Sequence, residues 1–420
     1  MGVISDGTTM LDAGAFENLP VTNWDTTVKT ANFTAVAGNG YFCNTSGGAF
    51  TLTLPASPSA GDIVGLKDYS GTFATNNLTL DRNGSNLDGN AGNKVVDTDY
   101  QNLTLIYVDG TKGWTPIGSG AFNIGLLPSF VAATGGTITC CGDYRIHTFT
   151  SPGTFTVTSL GNPVGGPSTV DYLVAAGGGG GGGASGWGNA GASGGGAGGY
   201  RESSGADSGC YSISPLGSGV PSLPVSITGY PITVGGGGSG GASINPGSQG
   251  SNSIFSTITS AGGGFGSSQN AANPGGSGGG GSWCTARFGG TGNQPPVSPP
   301  QGNPGGDGRQ PSPFVNGGGG GATAAGQPYQ PSNGIGASGA GATSCITGSP
   351  LGRSGGGGSG GGNSTGPGTS GSCGAGHGGN NGLPGGSGTA NRAGGGGGAG
   401  RSGTGGSGGS GVVIIRYKFQ

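Results

Sequence analysis

The chain has 420 residues, of which 112 are glycine, 16 are Asp or Glu and 14 are Lys or Arg, for a formal net charge of −2. That length allows two or three domains, and charged residues make up only 7% of it, against about 25% in an average soluble protein. So thin a charge excludes a basic surface of the size a nucleic-acid partner requires, and no apolar run is long enough for a membrane-spanning helix.

Residues 1–20 read as a short polar leader, too short to fold alone, that either frays or docks onto a larger assembly. Residues 21–120 read as a β module. Alternation is strongest over 50–54, where Phe50, Leu52 and Leu54 take one face and Thr51 and Thr53 the other. Further strands are expected at 62–66, 78–80, 95–96 and 103–108, separated by turn signals such as Asn83-Gly84 and Asp109-Gly110. Nothing helical intervenes, which favours a β-sandwich or jelly-roll-like unit. Trp24 and Trp114 read as core or collar aromatics.

Residues 121–140 look like a connector, and 141–420 like one glycine-rich domain. Strands are expected at 144–149, 154–158 and 170–175, and a last one at 412–419, where Val413, Ile415, Tyr417 and Phe419 share a face. The last strand is expected to pair with those before the glycine block. The framing strands, within 144–175 and 411–419, would then hold both ends of a block spanning 177–411.

Glycine has no side chain to bury and loses the most backbone entropy on folding, so this block cannot build an ordinary apolar core. Its tracts lie at 177–183, 194–199, 235–241, 262–264, 278–281, 317–321, 355–362 and 394–400, broken only by Ala or Ser. A close-packed lattice imposes that restriction; a flexible linker does not. No sustained Gly-X-Y register is present, which excludes collagen. Polyglycine can adopt a three-residue helix of the polyproline-II type and satisfy its amides on neighbouring helices. The expected fold is therefore all-β plus irregular: a sandwich-like module, then a small β base holding a lattice of glycine rods with a loop at each rod end.

The inserts between tracts carry Trp187, Tyr200, Phe265, Trp283, Arg287, Phe288, Phe314, Tyr329 and His377. Aromatics and Arg are the residue types of binding hot spots, and a Tyr/Ser/Gly/Asn setting is that of antibody loops. Aromatic faces beside Asn and Gln also suit sugars. These nine are the candidate receptor contacts, although a buried aromatic can equally staple the lattice.

Catalytic and metal motifs are missing. Seven cysteines show no C-x-x-C spacing and the two histidines, His147 and His377, are far apart, so no zinc site is expected. Buried free thiols are the expectation for the cysteines, with disulfides formed after release as the alternative. No phosphate-binding lysine loop or H-E-x-x-H occurs. The aspartates of the β module read as turn residues, and no acid–base pair can be nominated. The reading is of a non-enzyme without cofactor or metal. Residues 1–11 have neither a positive start nor an apolar stretch, so no secretory signal is expected. The uncharged, Thr/Ser/Asn-rich composition nonetheless looks extracellular. A virion component, made in the host cytoplasm and released by lysis, reconciles the two.

The segments DYRIHTFTSPGTFTV, VDYLVAAGGGGGGG, YPITVGGGGSGG, GSNSIFSTITSAGGG and SGVVIIRYK resemble the glycine-rich domain of bacteriophage tail-fibre proteins. The alternation of tracts and aromatic loops is similar to phage adhesins with a polyglycine-II sandwich. The segments GNGYFCNTSGGAFTLTLPASPSAGDIVGLKDYSGTF and LTLIYVDGTKGW resemble a β module recurrent in phage fibres. The resemblance covers residues 35–118 and 136–419, and is specific in the framing strands. It implies a homotrimeric fibre or adhesin whose loops bind a bacterial surface receptor, either a glycan or an outer-membrane protein. The N-terminus would dock on other virion proteins. The alternative is a structural capsid decoration or head fibre without specific receptor binding. Some such adhesins are separate caps on a fibre, whereas this chain carries its own β module.

Overall fold

The computed structural model describes residues 3–5, 8–11 and 23–420, except 118–123, 186–190, 210, 284–286, 311–314, 329–334 and 363–366. The described residues form two units, 1–129 with 162–165, and 130–161 with 166–420. Within the leader, Val3–Ser5 pairs antiparallel with Thr8–Leu11.

The alternating apolar residues of the first unit meet between two five-stranded sheets. One runs in the order Trp114–Ile117, Asn102–Tyr107, Ile63–Asp68, Asn39–Cys43, Asn23–Lys29; the other runs Ile124–Leu126, Lys94–Val96, Leu78–Asp81, Phe50–Thr53, Phe33–Thr34. Phe50, Leu52, Leu54, Val64, Leu66, Leu78, Leu80, Leu105 and Trp114 fill the core. The two-sheet sandwich is present, but its winding is not that of a jelly roll. From residue 23 to 81 successive strands alternate between the sheets. From Asn39–Cys43 onward each of them pairs parallel with the strand two before it in the chain. Antiparallel strands close the coil from 94 onward.

Trp114 is fully buried, whereas Trp24 lies on the edge strand, 40% exposed, with its ring 5.0 Å from that of Phe42. Of these two tryptophans only Trp114 is therefore a core residue. The Asp68 carboxylate accepts the backbone N–H groups of Ser70, Gly71, Thr72, Phe73 and Tyr100, which folds the loop that follows it. Asp62, Asp81 and Asp109 bond backbone N–H groups within their own turns. Burial pushes the Cys43 thiol up to about 12, which makes it a core residue rather than a nucleophile. The stretch read as a connector contains the strands Ile124–Leu126 and Ala132–Thr134 and most of Thr137–Cys141.

The second unit is built on two further sheets. One has the order Ala132–Thr134, Gly153–Ser159, Gly229–Thr233, Ser253–Phe255, Ile258–Ser260. The other has the order Thr137–Cys141, Tyr144–Phe149, Val412–Lys418, Thr169–Ala175, Tyr200–Glu202, with Leu223–Pro224 beside Thr169–Ala175. The last strand sits between Tyr144–Phe149 and Thr169–Ala175, so the chain closes on the strands that precede the glycine block. Val413, Ile415 and Tyr417 join Phe155, Val157, Ile232 and Phe255 in the core between the sheets. Val412 and Ile414 point the other way, to Leu173, Tyr200, Ala342 and Ile346. Burial on both faces explains why this strand is apolar at successive positions. His147 is buried there. Its Nδ1–H donates to the Gly135 carbonyl at 2.7 Å, which leaves Nε2 to accept from the Tyr417 hydroxyl at 2.9 Å.

Beyond Ala175 the chain enters a rod, 176–184, whose nine amides donate in a strict cycle of three. Residues 176, 179 and 182 donate to the carbonyls of 199, 196 and 193; residues 177, 180 and 183 donate to 251, 248 and 245; and residues 178, 181 and 184 donate to 409, 406 and 403. All nine bonds are 2.9–3.1 Å long. Its carbonyls accept in the same cycle, from 263 and 266, from 238 and 241, and from 396 and 399. The falling and rising partner numbers mean that three antiparallel neighbours receive and three parallel neighbours donate. Six rods therefore surround this one, and all nine residues are buried. Such contact needs glycine: a Cβ at Gly178 would lie 2.1 Å from the Gly394 oxygen, and one at Gly180 would lie 1.9 Å from the Ser239 oxygen. The small side chains within and beside the tracts have places of their own. Ala184, Ala192 and Ala399 pack together, and the Ser359 hydroxyl donates to the Gly336 carbonyl at 2.7 Å.

Two predictions follow from this packing. A Cβ at Gly357 would meet the Gly396 oxygen at 2.1 Å, whereas one at Gly236 meets nothing within 4 Å. Gly357→Val should destabilise the second unit by about 3 kcal/mol or more, while Gly236→Ala should be neutral or stabilise by up to about 1 kcal/mol; thermal melts of both variants check this. Burial is the main cause that holds His147 below its ordinary value of 6.5, against the opposing Gly135 bond. Its stabilising contribution is thus present above that value and lost on acidification. The melting temperature should fall between about pH 7 and about pH 5, more steeply in the parent than in His147→Gln; equal slopes would refute the assignment.

Candidate functional site

The rods alternately leave the sheets and return to them. Residues 176–184 lead away from Thr169–Ala175, and 191–199 return to Tyr200–Glu202. Residues 235–241 lead away from Gly229–Thr233, and 247–252 return to Ser253–Phe255. Residues 403–411 return to Val412–Lys418. Inserts far apart in sequence therefore meet at the rod ends remote from the sheets. Ala184, Ser185, Gly191, Ile244, Ser268, Gln269 and Trp283 line one shallow recess there.

Around this recess, apolar side chains stand in solvent on short turns. Phe288 is 66% exposed, Leu383 55% and Ile244 45%. The Arg287 guanidinium lies 5.6 Å from the centroid of the Phe288 ring. The backbone beneath is fixed: Gly308 N donates to the Arg287 carbonyl at 2.7 Å, and Gly289 N donates to the Asp307 carboxylate at 2.8 Å. The surface combines a half-buried indole, an exposed phenyl, a guanidinium, hydroxyls and an amide on a rigid frame. That chemistry suits binding.

The nine candidate residues divide by position. Trp283, Arg287 and Phe288 lie at the rod ends. Phe265 and His377 lie midway along their rods, on the flanks; Phe265 is half-buried and His377 exposed. Trp187, Phe314 and Tyr329 lie outside the described residues. Tyr200 is a core residue, 1% exposed, in the strand that pairs with Thr169–Ala175. Its hydroxyl donates to Glu202 Oε2 at 2.8 Å. Burial, with the adjacent Glu202 charge, raises it well above the ordinary phenol value. Tyr200 is therefore a core residue and not a receptor contact, because its insert begins as a strand. Ile244 and Leu383 were not singled out from the sequence. Their signal was an aliphatic residue in a proline-bearing turn, Ile244-Asn245-Pro246 and Leu383-Pro384, between two glycine tracts.

The long insert that begins at Tyr200 fastens the base. The buried Asp171 carboxylate accepts from Ser203 Oγ at 2.7 Å, Ser208 Oγ at 2.6 Å and Gly205 N at 3.0 Å. Arg416, also buried, lies between the rings of Tyr144 and Tyr211, 4.8 and 5.1 Å from their centroids. It donates to the carbonyls of Ser208 and Ile346. These groups are occupied by one another. Among the described residues Cys43, Cys140, Cys141, Cys345 and Cys373 are free thiols, no cluster of three metal-ligating side chains occurs, and no helix is long and apolar enough to cross a membrane.

The model of the glycine-rich domain family matches residues 150–418, more than half of the chain. The chain belongs to the glycine-rich domain family. The match begins just before Gly153–Ser159 and ends with Val412–Lys418, so the glycine-rich domain comprises the lattice together with most of its β frame. No curated protein matches the chain.

If the rod-end residues of the glycine-rich domain are surface and Tyr200 is core, their truncations should separate. Phe288→Ala and Leu383→Ala should each change stability by less than about 0.5 kcal/mol, and Tyr200→Ala should cost about 3–5 kcal/mol. Denaturant unfolding of the three variants checks this.

Proposed function

We propose that this chain is a virion fibre or adhesin that binds a receptor on a bacterial surface, glycan or outer-membrane protein, through the rod-end surface of its glycine-rich domain. The observation that carries the reading is the convergence at the recess of residues as far apart as Ala184 and Trp283, on a scaffold whose backbone amides bond to neighbouring rods. Preorganised loops lose little entropy on binding. Repeated copies, as in a homotrimer on a virion, turn modest affinity into avidity. Within this proposal the protein is made in the host cytoplasm, leaves by lysis and docks on other virion proteins through its N-terminal region. It acts by binding rather than catalysis, in keeping with a sequence that offers no nominated acid–base pair.

Fluorescently labelled protein applied to a panel of bacterial strains tests the proposal, beside a variant carrying Ile244→Ser, Phe288→Ala and Leu383→Ala. Saturable binding to some strains is expected, weakened about tenfold or more in the variant. Absence of binding to every strain, or equal binding by the variant, would contradict the receptor role and favour a structural virion component.

A further inference from the structure

Charge is divided unevenly along this weakly charged chain. Residues 1–129 hold five Lys or Arg against eleven Asp or Glu; residues 130–420 hold nine against five. Four of those five acids fall between 143 and 207, so from 208 onward Asp307 is the single carboxylate side chain against seven cationic ones. Three of the cations, Arg287, Arg309 and Arg401, stand where rods turn remote from the sheets. Arg287 and Arg309 lie on adjoining segments, joined by the bond from Gly308 N to the Arg287 carbonyl. Arg401 lies in the turn just before Gly403, whose carbonyl accepts from the end of the central rod. The segments 186–190, 284–286, 311–314, 329–334 and 363–366 contain no charged residue.

The one nearby carboxylate, Asp307, accepts from the backbone N–H of Gly289. Among the described residues the buried Arg401 Nε has no hydrogen-bond partner, a state that costs free energy. All three cations are Arg. Its planar guanidinium matches the two oxygens of a carboxylate or phosphate, where Lys offers a point charge. The Phe288 ring lies beside Arg287, and Trp283 lines the shallow recess together with the polar side chains of Ser185 and Gln269. Aromatic faces with flanking hydroxyls and amides suit a sugar ring, and the guanidinium groups suit an anion carried on it.

We infer that the rod-end surface recognises an anionic saccharide, a sugar chain bearing phosphate or carboxylate groups. Arg287 and Arg401 contact the anion, and Trp283 and Phe288 pack on the sugar rings. This rests on the receptor-binding role proposed above and names the class of receptor.

The test uses full-length protein and a strain that it binds. The probes are whole cells, and lipopolysaccharide purified from that strain in three forms: native, dephosphorylated with hydrofluoric acid, and with its carboxyl groups reduced. The variants are Arg287→Gln, Arg401→Gln and, as a control in the first unit, the exposed Lys112→Gln, each checked for an unchanged melting profile. Because Arg401 is partly buried, Arg287→Gln alone suffices should Arg401→Gln fail to fold. Native lipopolysaccharide should bind, about tenfold more weakly to each arginine variant and unchanged to the control. Loss of binding on dephosphorylation or on carboxyl reduction identifies which anion is read. Equal binding by arginine variants and control would overturn the inference while leaving the receptor role standing. So would cell binding that protease treatment of the cells abolishes, since the receptor would then be a protein. Failure of the parent protein to bind any strain would remove the receptor role itself, and this inference with it.

Discussion

Every backbone amide taken from water must find a partner, and in the glycine tracts neither helix nor sheet supplies one. The three-residue cycle of the central rod meets this constraint by pointing successive amides at three different neighbours. The solution is available only where no Cβ intervenes, because the neighbouring carbonyls stand about where one would be. Glycine is thus a packing requirement here, although it is the residue that loses most entropy on ordering. Inter-rod hydrogen bonds and dispersion between close backbones take the part that apolar side chains play in an ordinary core.

The same constraint sends side chains to the rod ends and flanks. Inside the lattice Ala and Ser find places, as in the Ala184–Ala192–Ala399 cluster, while Phe265 and His377 sit on rod flanks. Bulky residues therefore gather where rods turn. At the sheet end they are absorbed into the core, as Tyr200 and Ile346 are. At the remote end Phe288, Leu383 and Ile244 remain in solvent. The sheets register the array: the final strand is held on both sides by strands that precede the block, so the first and last rods leave from one sheet.

Much of this organisation was legible in the sequence, for reasons that also mark the limits. Period-two alternation placed Phe50–Thr53 and Leu78–Asp81, and the apolar run near the C-terminus placed Val412–Lys418. Alternation reports which face is buried and is silent on the direction of a neighbouring strand, so the parallel coil of the first unit was not visible. Short strands with exposed or mixed faces, such as Asn23–Lys29 and Thr137–Cys141, carry too little alternation to be seen. Restriction of tract breaks to Ala and Ser revealed the lattice. Residue type alone cannot say at which end of a rod an insert lies. For that reason Trp283, Arg287 and Phe288 proved to be at the rod ends, Tyr200 proved to be core, and the aliphatic Ile244 and Leu383 passed unnoticed.

Amide hydrogen exchange along residues 176–184, compared with the buried strand Val412–Lys418, tests the lattice most directly. If each amide is bonded to a neighbouring rod, the rod should exchange as slowly as that strand, through global unfolding of the unit. Exchange of these glycine amides at the rate of an unstructured Gly/Ser chain, with the strand still protected, would contradict an ordered lattice and leave the block a tethered flexible loop.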